Sequence, residues 1–233
     1  MKALLKPLLF LLLLLVYVPS TEAKSVSAKS FSMESFSWSN DLRLPSLDTT
    51  PNKGVAGAFG GFSNDWLILA GGANFPKSVP WEGGKKQWYR TAYIRKAGSL
   101  NQEWIVLLDA LPRPLAYGAS IQLEKGVLCI GGCDDEQCYS EVFLLTVQGD
   151  SIRIDSNYPS LPVPLANMTA SLIDNKVFVA GGQESMHIQS ASSNFFMLDL
   201  ADIKAGWKAL PSWPGAPRGY AVSAGQSLSL IHI

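Results

Sequence analysis

Three stretches of the chain repeat one pattern of small, polar and apolar positions: GVAGAFGGFSNDWLILAGG (54–72), LAYGASIQLEKGVLCIGG (115–132) and LANMTASLIDNKVFVAGG (165–182). Each starts with small residues, turns at polar or Gly positions, and climbs an apolar run into a Gly pair. The second glycines, Gly72, Gly132 and Gly182, are 60 and 50 residues apart, and Pro112 and Pro162 upstream are also 50 apart. Between each Gly pair and the next Pro lie two further apolar runs. They are TAYIRKA and EWIVLLDAL in the first unit, SEVFLLTV and SIRIDSNY in the second, SNFFMLDL and AGWKAL in the third. Short β-branched and aromatic runs bounded by Gly, Pro, Asn and Asp predict strands.

Four strands per unit, at a period of about 50 residues, predict an all-β protein built from blades of a Kelch-type β-propeller. An ordinary sandwich does not require a Gly pair at the same strand end in every unit. The propeller does, because a side chain there would strike the neighbouring blade, and Gly also takes positive φ without strain. Trp104 and Trp207 recur at the outer strand and read as fillers between blades. The segment FSWSNDLRLPSLD resembles a lone outer strand (36–45), which in a propeller closes the last blade and removes an exposed edge. Blades are expected at 51–111, 112–161 and 162–213, with the start of another at 214–227. By the spacing of 17 residues from Pro114 to Gly131, the next Gly pair is due near position 234, so the chain reads as a fragment of about three and a half blades. The tail 228–233, LSLIHI, reads as non-native.

Composition narrows the function classes. The 233 residues are 47% hydrophobic and formally neutral, with no Lys/Arg block, which argues against nucleic acid or a charged membrane surface as partner. The N-terminus has Lys2 and Lys6 before an apolar run of 11 residues, Leu8 to Val18, then Thr21 and Ala23 at the positions a signal peptidase reads. Eleven residues fall short of the about 20 that span a bilayer. Residues 1–23 are therefore expected to be a signal peptide cut after Ala23, giving a periplasmic or secreted protein with no membrane attachment. Cys129, within VLCIGG, reads as a small buried hydrophobe, whereas Cys133 and Cys138 flank a short loop and are expected to form a disulfide in an oxidising compartment. No metal site is expected.

The stretch GVAGAFGGFSNDWLILAGGANFP, followed by WEGGKK and then AYGAS, resembles the sialic acid mutarotases, or N-acetylneuraminate epimerases. These are exported bacterial Kelch propellers with six blades. The order of blades here resembles the cyclically permuted mutarotase group, and WKALPSWPGAPRGYAVSA resembles a segment near the family's usual N-terminus. The resemblance covers roughly 38–226 and implies exchange of α- and β-N-acetylneuraminic acid, in sialic acid scavenging, without a cofactor. A base would take the proton of the anomeric hydroxyl while an acid protonates the ring oxygen, and the opened sugar would reclose as the other anomer.

Under that resemblance Glu82, the acid of the distinctive loop, is the candidate catalytic residue. Lys85 and Lys86 are candidates to hold the sugar carboxylate, with Arg113 and Arg218 as further cations near a propeller face. Asn74 is a candidate for the N-acetyl group, and Trp81 or Tyr117 for stacking on the ring. Structural alternatives stand beside these: an ion pair of Glu82 with Lys85 or Lys86, Asn74 as a turn residue, and Arg218 as a rim charge. Family members also carry a Glu just after a Gly, with an Arg a few residues on. This sequence has no match to that motif, and permuted order places it beyond Gln226. A non-catalytic sugar- or protein-binding propeller is the alternative reading. A copper oxidase on Kelch blades lacks ligands here, with two His in the chain. The sequon at Asn167 is assigned no role.

Overall fold

A computed structural model describes residues 43–98, 103–226 and 229–232. The expected signal peptide, and all but the last three residues of the expected closing strand, lie outside these. The first unit holds β1 (Phe59–Ser63), β2 (Trp66–Ala70), the short β3 (Ala73–Asn74) and β4 (Gln87–Trp88), β5 (Ala92–Lys96) and β6 (Ile105–Leu107). The second holds β7 (Ala119–Leu123), β8 (Gly126–Ile130), β9 (Val142–Gln148) and β10 (Ser151–Asp155). The third holds β11 (Thr169–Ile173), β12 (Lys176–Ala180), β13 (Phe195–Asp199) and β14 (Lys208–Ala209).

These make three four-stranded antiparallel sheets, ordered β1-β2-β5-β6, β7-β8-β9-β10 and β11-β12-β13-β14, which are blades of a Kelch-type propeller. Each inner hairpin turns in two residues, because Ser63 pairs with Trp66, Leu123 with Gly126, and Ile173 with Lys176. Asp174 and Asn175, both at positive φ (45° and 61°), supply the turn that matches strand twist. A further hairpin, β15 (Ser223–Gln226) with β16 (Ser229–His232), follows the third blade. Its second strand includes part of the segment read as a non-native tail.

The blades stack face to face, and β8 shows why its sequence is apolar at every position. Val127 and Cys129 point into the core shared with Phe59, Ile68 and Ile94 of the first blade. Leu128 and Ile130 point the other way, against Val177, Val179 and Leu198 of the third. With side chains alternating by two, a strand buried on both faces has no polar side. Cys129 is fully buried, and burial pushes its thiol well above the ordinary range, so the reading as a core hydrophobe holds.

The Gly pairs sit where the blades touch. A Cβ on Gly71, Gly131 or Gly181 would stand 2.2, 2.4 or 2.5 Å from the carbonyl oxygen of Leu115, Leu165 or Arg218 in the following unit. That same carbonyl accepts the N–H of the second glycine, at 2.8, 2.8 and 2.9 Å. All six glycines have positive φ. Further out, Trp104 packs edge-on against Tyr93, with centroids 6.4 Å apart, and the Trp207 indole N–H donates to the Pro159 carbonyl at 2.8 Å. By strand register Ile154 takes their place in the second blade, and a cavity of about 230 Å³ opens beside it.

The inner strands meet edge to edge. Gln122 on β7 accepts the Phe62 N–H at 2.7 Å and donates to the Phe62 carbonyl at 2.9 Å, and the Ser120 hydroxyl accepts the Gly60 N–H. These contacts satisfy the open edge of β1. Between β11 and β15 the contact is side chain to side chain, with the Ser223 hydroxyl bonded to those of Thr169 and Ser171.

Candidate functional site

The inner strands begin, and the strands carrying the Gly pairs end, on one face, because Ala56 bridges Ala73, Ala116 bridges Cys133 and Ala166 bridges Gln183. On this face the residue after each of these alanines is left-handed, and so is its counterpart in the last unit: Gly57 (φ 65°), Tyr117 (62°), Asn167 (54°) and Tyr220 (58°). They are joined in series. Tyr117 N–H donates to the Gly57 carbonyl at 2.7 Å, Asn167 N–H to Tyr117 and Tyr220 N–H to Asn167, both at 2.8 Å. The loops that follow the Gly pairs rise beside this chain of bonds.

The first of these loops, 71–91, is the segment most specific in sequence. Pairing of Ala73 with Trp88 and Asn74 with Gln87 folds it into a hairpin. A 3-10 turn at Pro80–Glu82 caps it and ends on left-handed Gly83. Gly84 is packed so closely on the Ser78 carbonyl that no side chain fits there. Trp81 at this tip is 82% exposed, and Glu82 and Lys85 are exposed beside it. The ion pair of Glu82 with either lysine is not formed among the described residues.

Lys86 instead turns inward. Its Nζ donates to the Tyr117 hydroxyl at 3.0 Å and lies 4.7, 5.4 and 5.6 Å from the ring centroids of Tyr117, Trp88 and Phe75. Aromatic faces hold a cation without neutralising it. The Tyr117 ring reaches this position by lying over Gly57, where a Cβ would come within 2.4 Å of a ring carbon. The structure therefore unites two expected residues, Lys86 and Tyr117, and adds two that sequence reasoning passed over, Phe75 and Trp88. The signal for those was the register of the hairpin, which sets Trp88 opposite Ala73 and, two residues on, Phe75 opposite Lys86.

Asn74 has a different role from the one expected of it. Its amide N–H donates to the Gly54 carbonyl at 2.6 Å, and its oxygen accepts the Tyr89 hydroxyl at 2.7 Å. The second blade repeats this clasp with Asp134 and the Tyr139 hydroxyl, and the third with Glu184 and the Asn194 amide at 2.9 Å. Each clasp ties the start of a loop to its end, so Asn74 serves the loop's shape. Arg113 is also engaged, in an ion pair with Glu141 at 2.6 Å while its guanidinium lies 4.4 Å from the Tyr139 ring centroid. Arg218 is exposed and lies 5.9 Å from the Trp213 ring centroid, at the repeat position where Leu115 and Leu165 are buried.

Burial would raise the carboxyl of Asp134, but the Tyr139 hydroxyl and the N–H groups of Gln137 and Glu136 outweigh it, so the net shift is below the ordinary value of 3.8. A depressed carboxylate contributes stability that is complete above the unfolded value and lost as pH falls through the folded one. Asp134→Asn removes this contribution. The gap in urea midpoint between wild type and variant is expected to be widest at neutral pH and to close in acid below 3.8. A gap that stays constant with pH would refute the assignment.

Cys133 and Cys138 face each other across an isolated bridge, as free thiols in this structure. The flanking bonds run from Tyr139 N–H to Gly132 and from Asp134 N–H to Gln137, which makes the cysteines a non-hydrogen-bonded pair, the closer of the two antiparallel spacings. Donation to Cys138, then burial, pushes the Cys133 thiol up, and the same bond lowers Cys138. Trp88 and Lys86 oppose the rise at Cys133, and Tyr117 packs on the cluster that the cysteines form with Ala166, so the pair lies beneath the Lys86–Tyr117 contact. Among the described residues no three His, Cys, Asp or Glu side chains gather as a metal site.

Comparison with known proteins places this chain in a family. A family model described as N-acetylneuraminate epimerase matches residues 18–154. The N-acetylneuraminate epimerase of Brucella suis is 35% identical over 130 residues, covering 51% of this chain and 32% of that protein. The N-acetylneuraminate epimerase of Yersinia enterocolitica is 37% identical over 113 residues, covering 44% and 28%. The matched part of the chain thus spans about a third of the length of these relatives. The solved structure of YjhT superposes with a TM-score of 0.62 at 12% identity, covering 81% of this chain and 60% of that one, and supports the fold.

Proposed function

The chain belongs to the N-acetylneuraminate epimerase family, and from that premise we propose that it takes part in interconverting the α- and β-anomers of N-acetylneuraminic acid. The observation that carries this reading is the Lys86–Tyr117 contact beside the inner strands. Lys86 spends one N–H on Tyr117, and its other two are available to a sugar carboxylate. Tyr117 accepts from Lys86 and keeps its own proton to donate. Glu82, exposed and without a protein partner among the described residues, is free to take the proton of the anomeric hydroxyl as an acid delivers one to the ring oxygen. The C–O ring bond then breaks, the carbonyl rotates, and reclosure on its other face returns both protons. Trp81 offers a face for the sugar ring.

Proton NMR of the α-anomer freshly released by a sialidase tests this. Faster appearance of the β-anomer with protein than without is expected. Saturable binding with no change in rate would replace catalysis by sugar recognition alone, and absence of both would refute the reading.

We further propose that the protein is exported by its N-terminal segment and meets an oxidising compartment. There Cys133 and Cys138 close into a disulfide, for which their bridge supplies a suitable backbone spacing. Alkylation before and after reduction of protein prepared from the periplasm or medium should find Cys133 and Cys138 blocked until reduced. Both labelled without reductant would refute the bond.

A further inference from the structure

The four left-handed residues beside the inner strands differ in a way the backbone alone does not explain. Glycine adopts positive φ freely, and Gly57 shows that the position accepts it. Tyr117 and Tyr220 hold the same conformation at a cost that glycine avoids, Asn167 at a smaller one, and such non-glycine residues gather where a side chain has a task. Tyr117 has one, since its ring and hydroxyl hold Lys86. Asn167 stands next in the series, its N–H on the Tyr117 carbonyl at 2.8 Å.

The surroundings of Asn167 fix where its amide points. Its Nδ2 donates to Gln183 Oε1 at 2.8 Å. Gln183 is 4% exposed, donates from its own side chain to the His187 carbonyl at 3.2 Å, and exchanges both backbone bonds with Ala166. A buried glutamine held at both ends is a rigid anchor. It leaves Asn167 with its Oδ1 and second Nδ2 hydrogen unbonded by protein among the described residues, one acceptor and one donor. The sequon reading of Asn167 does not fit, because Thr169 is buried and bonded to Ser223. Either group can bond one end of a secondary amide, the oxygen accepting its N–H or the second N–H donating to its carbonyl, and Asn74, the residue expected to meet the N-acetyl group, is already bonded at both ends.

We propose that Asn167, oriented by Gln183, recognises the N-acetyl amide of the sugar whose carboxylate Lys86 holds. This rests on the functional reading above. It makes Asn167 a specificity-determining residue, with Tyr117 between the two anchors.

Asn167→Gly tests it, since glycine keeps the left-handed backbone while removing the amide. Affinity is measured by titration for N-acetylneuraminic acid and for its analogue with a hydroxyl in place of the N-acetyl group. Asn167→Gly should bind N-acetylneuraminic acid about tenfold more weakly, with the analogue nearly unaffected, so that discrimination between the two collapses. Thermal unfolding should fall only modestly, because the bond to Gln183 is lost together with the amide. If the glycine variant unfolds, Asn167→Asp, which loses the N–H donor, is read in its place against the same two ligands. Unchanged discrimination, with Lys86→Met still losing affinity, overturns the role of Asn167 and leaves the function standing. No binding of either sugar by the wild-type chain overturns both.

Discussion

Gly131→Ala is expected to destabilise the protein by about 3 kcal/mol, and Gly149→Ala by about 1 kcal/mol, although both glycines are left-handed. Their φ values are close, 58° and 62°, so the backbone penalty of adding a Cβ is shared. What differs is the space around them. At Gly149, in the β9–β10 turn, nothing lies within 4 Å of the new carbon. At Gly131 it would fall 2.4 Å from the Leu165 carbonyl oxygen and 2.7 Å from the Met168 side chain. Met168 can move, but Leu165 cannot without stretching its bond to Gly132 N–H, so the blades must part locally. Urea unfolding of the three proteins measures the difference, provided the slope with urea is unchanged. Equal losses for the two variants would show that φ alone, and not contact between blades, selects the Gly pair.

That result bears on what the sequence could disclose. The blades were legible because each unit meets the same local constraint, and Gly71, Gly131 and Gly181 each face a carbonyl of the next unit at nearly one distance. The unbroken apolar run of β8 was legible as a strand for a related reason, since both its faces are covered. The site was legible only in part. Glu82, Trp81 and Lys85 lie together at the tip of one loop, yet the loop's inward contact is made by Lys86, whose partner Tyr117 lies 31 residues away on the next blade. Arg113 reads as a free cation until Glu141, 28 residues on, is packed beside it. No local pattern announces such pairs, because they are products of how blades stack. Asn74 misled for the opposite reason. Its residue type suits a ligand amide, but the recurrence of a clasp at Asp134 and Glu184 marks the position as part of the repeat.

Lys86→Met is expected to weaken binding of N-acetylneuraminic acid by roughly 10- to 100-fold while leaving stability nearly unchanged. Methionine is close to lysine in length and packs well on aromatic rings, so the enclosure by Phe75, Trp88 and Tyr117 stays filled. What disappears is the charge and its bond to the Tyr117 hydroxyl, and hydrogen bonds to a charged group contribute about 1.5–3 kcal/mol. Two controls separate this from general loss of positive charge. Lys85→Met, one residue along and exposed, should bind as wild type does. Tyr117→Phe keeps the ring over Gly57 but releases Lys86, and should fall between wild type and Lys86→Met. Salt gives an independent check, because raising ionic strength should weaken wild-type binding more than that of Lys86→Met. If Lys85→Met and Lys86→Met lose affinity equally, the aromatic enclosure confers no special role on Lys86. If neither loses affinity, the sugar carboxylate is held elsewhere.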